Sequence, residues 1–142
     1  MKIITTADVE HIAFNLAREW LTFDEPIPDY STRFPHILES CLLTPFQKFS
    51  QKSLYPSLVA KAGILLYLLI KNHPFQNGNK RIALTTLLVF FYMNDKWLEV
   101  DKQSLYNFTL WVAQSPSELK EEVVLGIEKF IKNYLVKLDS KS

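Results

Sequence analysis

Residues 58–93 read LVAKAGILLYLLIKNHPFQNGNKRIALTTLLVFFYM, and this stretch decides the fold. Two runs that are apolar nearly all round are divided by ten polar, turn-forming residues, Asn72 to Arg81. A helix that is apolar on every side is buried, so helices over 57–71 and 79–94 belong at the centre, with Pro56 opening the first of them. Neither run is a membrane span. The stretch from Leu58 to Ile70 has 13 residues and is interrupted by Lys61, whereas a span needs about 20.

Working outward, the period of 3.6 recurs on both sides. Val9, Ile12, Ala13, Leu16, Ala17 and Trp20 mark an amino-terminal helix, and Thr5 with Asp8 forms a capping box at its start. Pro26 and Pro28 break the chain. A short helix follows over 34–43, with Ile37, Leu38, Cys41 and Leu42 on one side, and Pro45 ends it. Residues 44–55 show no period and read as a loop or short hairpin.

After the centre, residues 97–100 make at most a short extended piece. Leu105, Phe108, Thr109 and Val112 mark a fifth helix. Ser115-Pro116-Ser117-Glu118 signals the start of a sixth, with Ser115 as cap and Pro116 in the first position. Its core face is Val123, Val124, Ile127, Phe130, Ile131, Tyr134 and Leu135, and the charges between 129 and 141 form a solvated helix face. The tail from Lys137 to Ser142 frays. The expectation is one all-α domain over 1–142, a compact bundle of about six helices, with the polar loop at the start of a central helix.

Composition narrows the function. Of 142 residues, 48% are hydrophobic and 22% charged, which excludes a disordered chain. With 16 Lys and Arg against 15 Asp and Glu, the net charge is +1, so no global basic field draws nucleic acid. Three glycines disfavour a turn-rich β fold, and the single Cys41 excludes an internal disulfide. The first residues lack an apolar core with a cleavage site, which makes a cytoplasmic protein the expectation.

The chemistry concentrates in Asn72-His73-Pro74-Phe75-Gln76-Asn77-Gly78-Asn79-Lys80-Arg81. A helix start presents unpaired N–H groups and partial positive charge, which attract anions. Gly78 admits a close ligand approach, and Lys80 and Arg81 add two full charges. His73 stands a few residues upstream, and an imidazole is the side chain best suited to act as a base there. Each element alone fits a plain turn or a solvated helix start. Their gathering in ten residues between two core helices favours function, namely transfer of a phosphate-containing group.

The stretch resembles the Fic/Doc signature, His-x-Phe-x-(Asp/Glu)-Gly-Asn-(Gly/Lys)-Arg, through His73, Phe75, Gly78, Asn79, Lys80 and Arg81. It is closer to the Doc, or death-on-curing, branch: Lys80 stands where ordinary Fic proteins have Gly, and Leu84 where they have a second Arg. Tyr55-Pro56-Ser57-Leu58, Ala83-Leu84 and Leu38-Glu39-Ser40 are similar to Doc-like chains as well. The resemblance is clear over about residues 30–95.

The resemblance implies an all-α fold, a nucleoside triphosphate (ATP) and Mg²⁺. It implies a toxin of a type II toxin–antitoxin pair that phosphorylates a threonine of a translation factor such as elongation factor Tu, held by a Phd-type antitoxin whose disordered tail folds into a helix along a groove. Protein adenylylation is the Fic-type alternative. By the same resemblance His73 is the general base and Phe75 anchors the loop. Gly78, Asn79, Lys80 and Arg81 hold phosphates, and the 44–54 loop is either a flap that aligns the target or a plain connector, with Lys48 and Lys52 facing the target or water.

One position departs from the signature. Asn77 replaces the acid that binds the metal, and an amide oxygen brings no charge. Three readings follow: a weaker enzyme whose metal is held mostly by the triphosphate, a second acid reaching the site, or a copy acting mainly through antitoxin binding. Asp95 and Glu99 lie too far along the chain to be assigned. His11 and His36 read as surface or capping residues, and Trp20, Trp97 and Trp111 as core or rim aromatics.

Overall fold

A computed structural model describes residues 1–138 and is mostly helical, with six helices and only short strands, as the sequence predicts. Helix α1 comprises an α-helical turn Thr6–Asp8, a π-helical stretch Val9–Ala13 and an α-helical stretch Phe14–Glu19. The capping box is present: Asp8 N–H donates to the Thr5 hydroxyl at 3.2 Å, and Thr5 N–H donates to the Asp8 carboxylate at 2.9 Å. The π-helical stretch widens the turn. Val9, Ala13, Phe14 and Ala17 face the core, while Ile12 and Leu16, expected inside, are 47% and 46% exposed.

Helix α2, Pro35–Leu43, buries Leu38, Cys41 and Leu42 and leaves Ile37 outside. It ends at Pro45 as predicted, in a 3₁₀ turn Thr44–Phe46. The ambiguous segment after it is a hairpin. Strand β1, Lys48–Phe49, pairs antiparallel with β2, Lys52–Ser53. The turn residues Ser50 (φ 50°) and Gln51 (φ 66°) are both left-handed, as a two-residue type I′ turn requires.

The central helices are α3, Leu58–Lys71, and α4, Asn79–Met93. Ser57 caps α3 by accepting from Ala60 N–H at 3.0 Å, so Pro56 lies before the cap and outside the first turn. Helix α3 is buried from Lys61 to Ile70, packed on α4 and on the helix Lys120–Tyr134, with the turn Thr44–Phe46, α2 and the helix Lys102–Gln114 covering its remaining sides. Lys61 keeps its stem inside, donates to the Tyr55 carbonyl and lies over the Phe46 ring at 5.6 Å. Burial pushes its pKa down, and Lys48 adds to the shift.

Beyond α4, strand β3 is Lys96–Leu98 and helix α5 is Lys102–Gln114. The Asp101 carboxylate caps α5 through Ser104 N–H at 2.8 Å, and these bonds hold its pKa below the usual range. Ser115 does not cap the next helix. Its N–H closes α5 on the Val112 carbonyl, a 3₁₀ turn Ser117–Leu119 follows, and α6 begins one turn later, Lys120–Tyr134.

Val123, Ile127 and Ile131 form the buried face of α6, with Val124, Phe130 and Tyr134 at its margins. Leu135, expected on that helix, instead starts strand β4, Leu135–Lys137, which pairs antiparallel with β3. The Glu99 N–H donates to the Tyr134 carbonyl at 2.8 Å and continues the ladder where the helix stops. The solvated helix face therefore ends at Tyr134. Lys137 of the expected frayed tail belongs to β4, and residues 139–142 lie outside the described chain. Among the described residues, no helix is long and apolar enough to cross a membrane.

Candidate active site

The polar loop joins α3 to α4, and its conformation follows from five residues. His73 has φ 50°, a left-handed backbone that costs an L-residue about 1–2 kcal/mol, and it precedes Pro74, which restricts it further. Such strain marks a position that its surroundings over-determine. Pro74 ties the loop to α2 by accepting from Phe34 N–H at 2.8 Å.

Phe75 is 2% exposed, with ring centroids 5.7 Å from Phe14 and 6.2 Å from Tyr30. This three-ring cluster fixes the loop to α1 and to the segment before α2. Burial raises the Tyr30 pKa, against a smaller lowering from Arg33.

Asn79 clamps the loop on itself. Its Oδ1 accepts from Phe75 N–H at 3.0 Å, and its Nδ2 donates to the Phe75 carbonyl at 2.9 Å. The same Nδ2 lies 3.4 Å from His73 Nδ1. The amide nitrogen can only donate, so this contact orients the imidazole with Nδ1 as the bare, accepting nitrogen and the ring proton on Nε2. The His73 side chain is exposed, so the ring is positioned at its base and open at its outer face.

Gly78 (φ 69°) starts α4 in the left-handed region, and no side chain caps this helix. The first amides of α4 therefore present their positive end without an internal partner. A Cβ at Gly78 would come within 2.8 Å of Ile27 Cδ1 and 3.0 Å of the Pro26 carbonyl, so glycine is required for both conformation and space. Lys80 Nζ lies 3.8 Å from Asp24 Oδ2 and 3.5 Å from Glu25 Oε1.

Arg81 is 4% exposed and fully engaged. Its Nε donates to the Trp20 carbonyl at 2.9 Å, Nη1 to the Glu25 carbonyl at 2.8 Å, and Nη2 to the Ala17 carbonyl. Burial lowers its pKa, partly offset by Asp24. The loop thus brings His73, Asn79, Gly78 and Lys80 to one helix start. The side chains of Asn79 and Arg81, expected to hold phosphates, are committed to backbone groups instead, because both are buried donors that must find acceptors inside the protein.

Asn77 is half-buried and neutral. No cluster of three metal-ligating His, Cys, Asp or Glu residues exists among the described residues. The donor set does not build a resident Mg²⁺ site: one amide is available, and the Asp24 and Glu25 carboxylates face Lys80. Asp95 and Glu99 flank β3, where the Asp95 backbone carbonyl accepts from Leu138 N–H at 3.1 Å. Sequence reading did not single out Asp24 and Glu25. They carry no period and reach Lys80 across 56 and 55 positions, and only Pro26 and Pro28 just after them mark their segment as irregular.

The remaining residues fall outside the site. His11 is exposed beside Glu10 at 3.8 Å, and His36 is exposed next to a shallow cavity shared with Asn72. Trp20 and Trp97 line an apolar groove, and Trp111 packs on Gly126.

A family model described as the Fic/DOC family matches residues 4–91, more than half of the chain. No curated protein and no solved structure matches.

Proposed function

The chain belongs to the Fic/DOC family, whose members are transferases that generally use ATP as substrate, and from that premise we propose that it is a Doc-branch protein kinase. The observation that carries the reading is an exposed, conformationally strained His73 set beside an uncapped, cationic helix start. In this reading the target hydroxyl gives its proton to the unprotonated nitrogen of His73. Its oxygen attacks the γ-phosphorus of ATP, the bond to the bridging β,γ-oxygen breaks, and ADP leaves.

The amides of α4 and Lys80 hold the phosphates. Asn79 and Arg81 act behind them, as clamp and fastening. Phosphoryl transfer draws its rate mostly from such positioning and charge neutralisation. Lys80 in place of Gly favours the kinase reading, since its bulk excludes one nucleotide pose. Any Mg²⁺ brought with the nucleotide would have to be held by the triphosphate, because Asn77 offers only a neutral amide.

The Doc branch carries the rest of the proposal. We take residues 1–142 as one cytoplasmic domain, a threonine of elongation factor Tu or a similar translation factor as target, and a Phd-type antitoxin as partner. Two features support this. The hairpin β1–β2 presents a short flap edge with Phe49 exposed, suited to strand-like pairing with a target segment. A groove of about 860 Å³ between α1, α4 and β3 is lined by Ile12, Leu16, Tyr92 and Trp97, suited to an amphipathic helix.

The test uses ATP labelled at the α or the γ position, with purified translation factor as acceptor. Transfer of the γ label, lost by about 10²–10⁴-fold in His73→Ala with an unchanged melting temperature, is the expected result. Transfer of the α label would make the protein an adenylyltransferase. Full transfer by His73→Ala would remove the base from the proposal.

A further inference from the structure

Helix α3 carries one charged residue between Leu58 and Ile70, Lys61. Lys61 is 7% exposed, and a buried ammonium is costly unless it is paired. Among the described residues no carboxylate stands within ion-pair distance of it, and the sequence holds no Asp or Glu between Glu39 and Asp95. Lys61 is therefore not half of a salt bridge. An aliphatic side chain would fill the same place in α3 without that penalty, so the ammonium needs a reason of its own.

Its partners supply one. Helix side chains lean towards the amino-terminal end of their helix. That direction takes Nζ back past the Ser57 cap to the Tyr55 carbonyl, to which it donates. Nζ also lies 5.6 Å from the centroid of the Phe46 ring, in a cation–π contact. Phe46 leads into the hairpin β1–β2 and Tyr55 follows it, so one ammonium holds both roots of the hairpin. The Phe46 ring packs edge-on against Phe90 of α4 at 5.9 Å, and Leu54 N–H joins the two roots by donating to the Gln47 carbonyl at 3.1 Å. Beyond these bonds the strands have two residues each, too few to be stable alone.

The same helix leads to the base. Lys61 lies in the first turn of α3, and His73 stands two residues past its end at Lys71. Ten helical steps, about 15 Å, separate the hairpin roots from that end. We propose that Lys61 is a positioning residue for the protein substrate: it fixes the hairpin to α3, and the buried helix then sets the distance between hairpin and His73. This rests on the reading above that the hairpin pairs with a segment of the target. A separation of about 15 Å puts four or five extended residues between that segment and the acceptor threonine.

The experiment compares Lys61→Met, which keeps the stem and removes the ammonium, with Lys61→Arg, which keeps a cation and its donors. Hydrogen exchange on the full chain is the first readout. In Lys61→Met the Leu54 amide and the amides of residues 48–53 should exchange about tenfold faster, the size of one lost bond to a charged group, while amides 62–70 of α3 keep their rates. Lys61→Arg should recover most of the protection. Phe46→Leu removes the other partner and should loosen the same amides, which keeps the test decisive if Lys61→Met does not fold. Unchanged exchange in the hairpin, or an equal rise throughout α3, would overturn the proposal.

Transfer of the γ-phosphate of ATP to purified elongation factor Tu is the second readout. Lys61→Met should raise KM for the protein about tenfold and leave kcat and the KM for ATP within about twofold, the pattern of lost substrate binding. A fall in kcat at unchanged protein KM would overturn the positioning role. A loosened hairpin with an unchanged protein KM would overturn it through the reading it rests on, that the hairpin binds the target. Absence of transfer by the unsubstituted chain would overturn the proposed function, and hydrogen exchange would still decide whether Lys61 holds the hairpin.

Discussion

Replacing Asn79 with Ala tests the clamp that shapes the candidate site. The substitution removes the acceptor at 3.0 Å from Phe75 N–H and the donor at 2.9 Å from the Phe75 carbonyl. Each such bond contributes about 0.5–1.5 kcal/mol net, and a buried partner left unsatisfied costs about 1–3 kcal/mol. Water reaching part of the loop relieves some of that cost, so the expected loss is about 2–4 kcal/mol, or about 7–13 °C in melting temperature for a chain of this size.

Urea denaturation followed by tryptophan fluorescence measures it, with calorimetry as a check. Asn79→Asp is the informative control. It keeps an acceptor for Phe75 N–H but sets a carboxylate against the Phe75 carbonyl, so most of the loss should remain. A loss below about 1 kcal/mol for Ala, a single ordinary hydrogen bond, or unperturbed stability for Asp, would show that the loop holds its shape without the clamp.

Phe75→Ala should cost about 3–5 kcal/mol, because a buried aromatic is removed from a three-ring cluster, and thermal unfolding reads this directly. Asn77→Asp should raise phosphate transfer and strengthen its dependence on Mg²⁺, since it restores a charged oxygen donor; an unchanged rate across a magnesium titration would refute that account of the position. Replacing Ser50-Gln51 by Asn-Gly should stabilise the flap by about 0.5–1 kcal/mol, because both positions need a positive φ, and should slow hydrogen exchange in residues 48–53.

The Cys41 thiol is buried, and burial pushes its pKa from 9.0 up to about 11, against a small lowering by Asn72. Between those values the unfolded chain releases a proton that the folded chain keeps. Stability therefore falls as pH rises from 9 towards 11. The urea midpoint of the unsubstituted protein should drop more over that range than that of Cys41→Ala.

Much of this was legible in the sequence, for reasons that particular residues make plain. His73, Gly78 and Lys80 are contiguous, and the helices on either side are so apolar that only a central placement suits them. The roles of Asn79 and Arg81 were not legible. Asn79 serves Phe75 through a loop shape that no local pattern encodes, and Arg81 finds carbonyls 56, 61 and 64 positions away.

Ser115 shows a different difficulty. A serine before proline can open a helix or close one, and its N–H bond to Val112 decides the matter. Leu135 continues a helical period in the sequence, and only its pairing with Leu98 turns it into strand. Asn77 stands as a departure from the signature, and the donor set around it explains no compensating acid.

The placement of the candidate loop also bears on how the protein assembles. The loop is the connection of a hairpin of two consecutive helices, so its clamp closes over only four positions. By contrast, the corner where Lys2 meets Asn94 spans 92 positions, and β4 reaches back from 135 to pair near 98. Short closures have the smaller entropic cost and favour speed. A growing chain that has released α4 already holds every residue of the clamp, well before the last strand exists to seal the far corner.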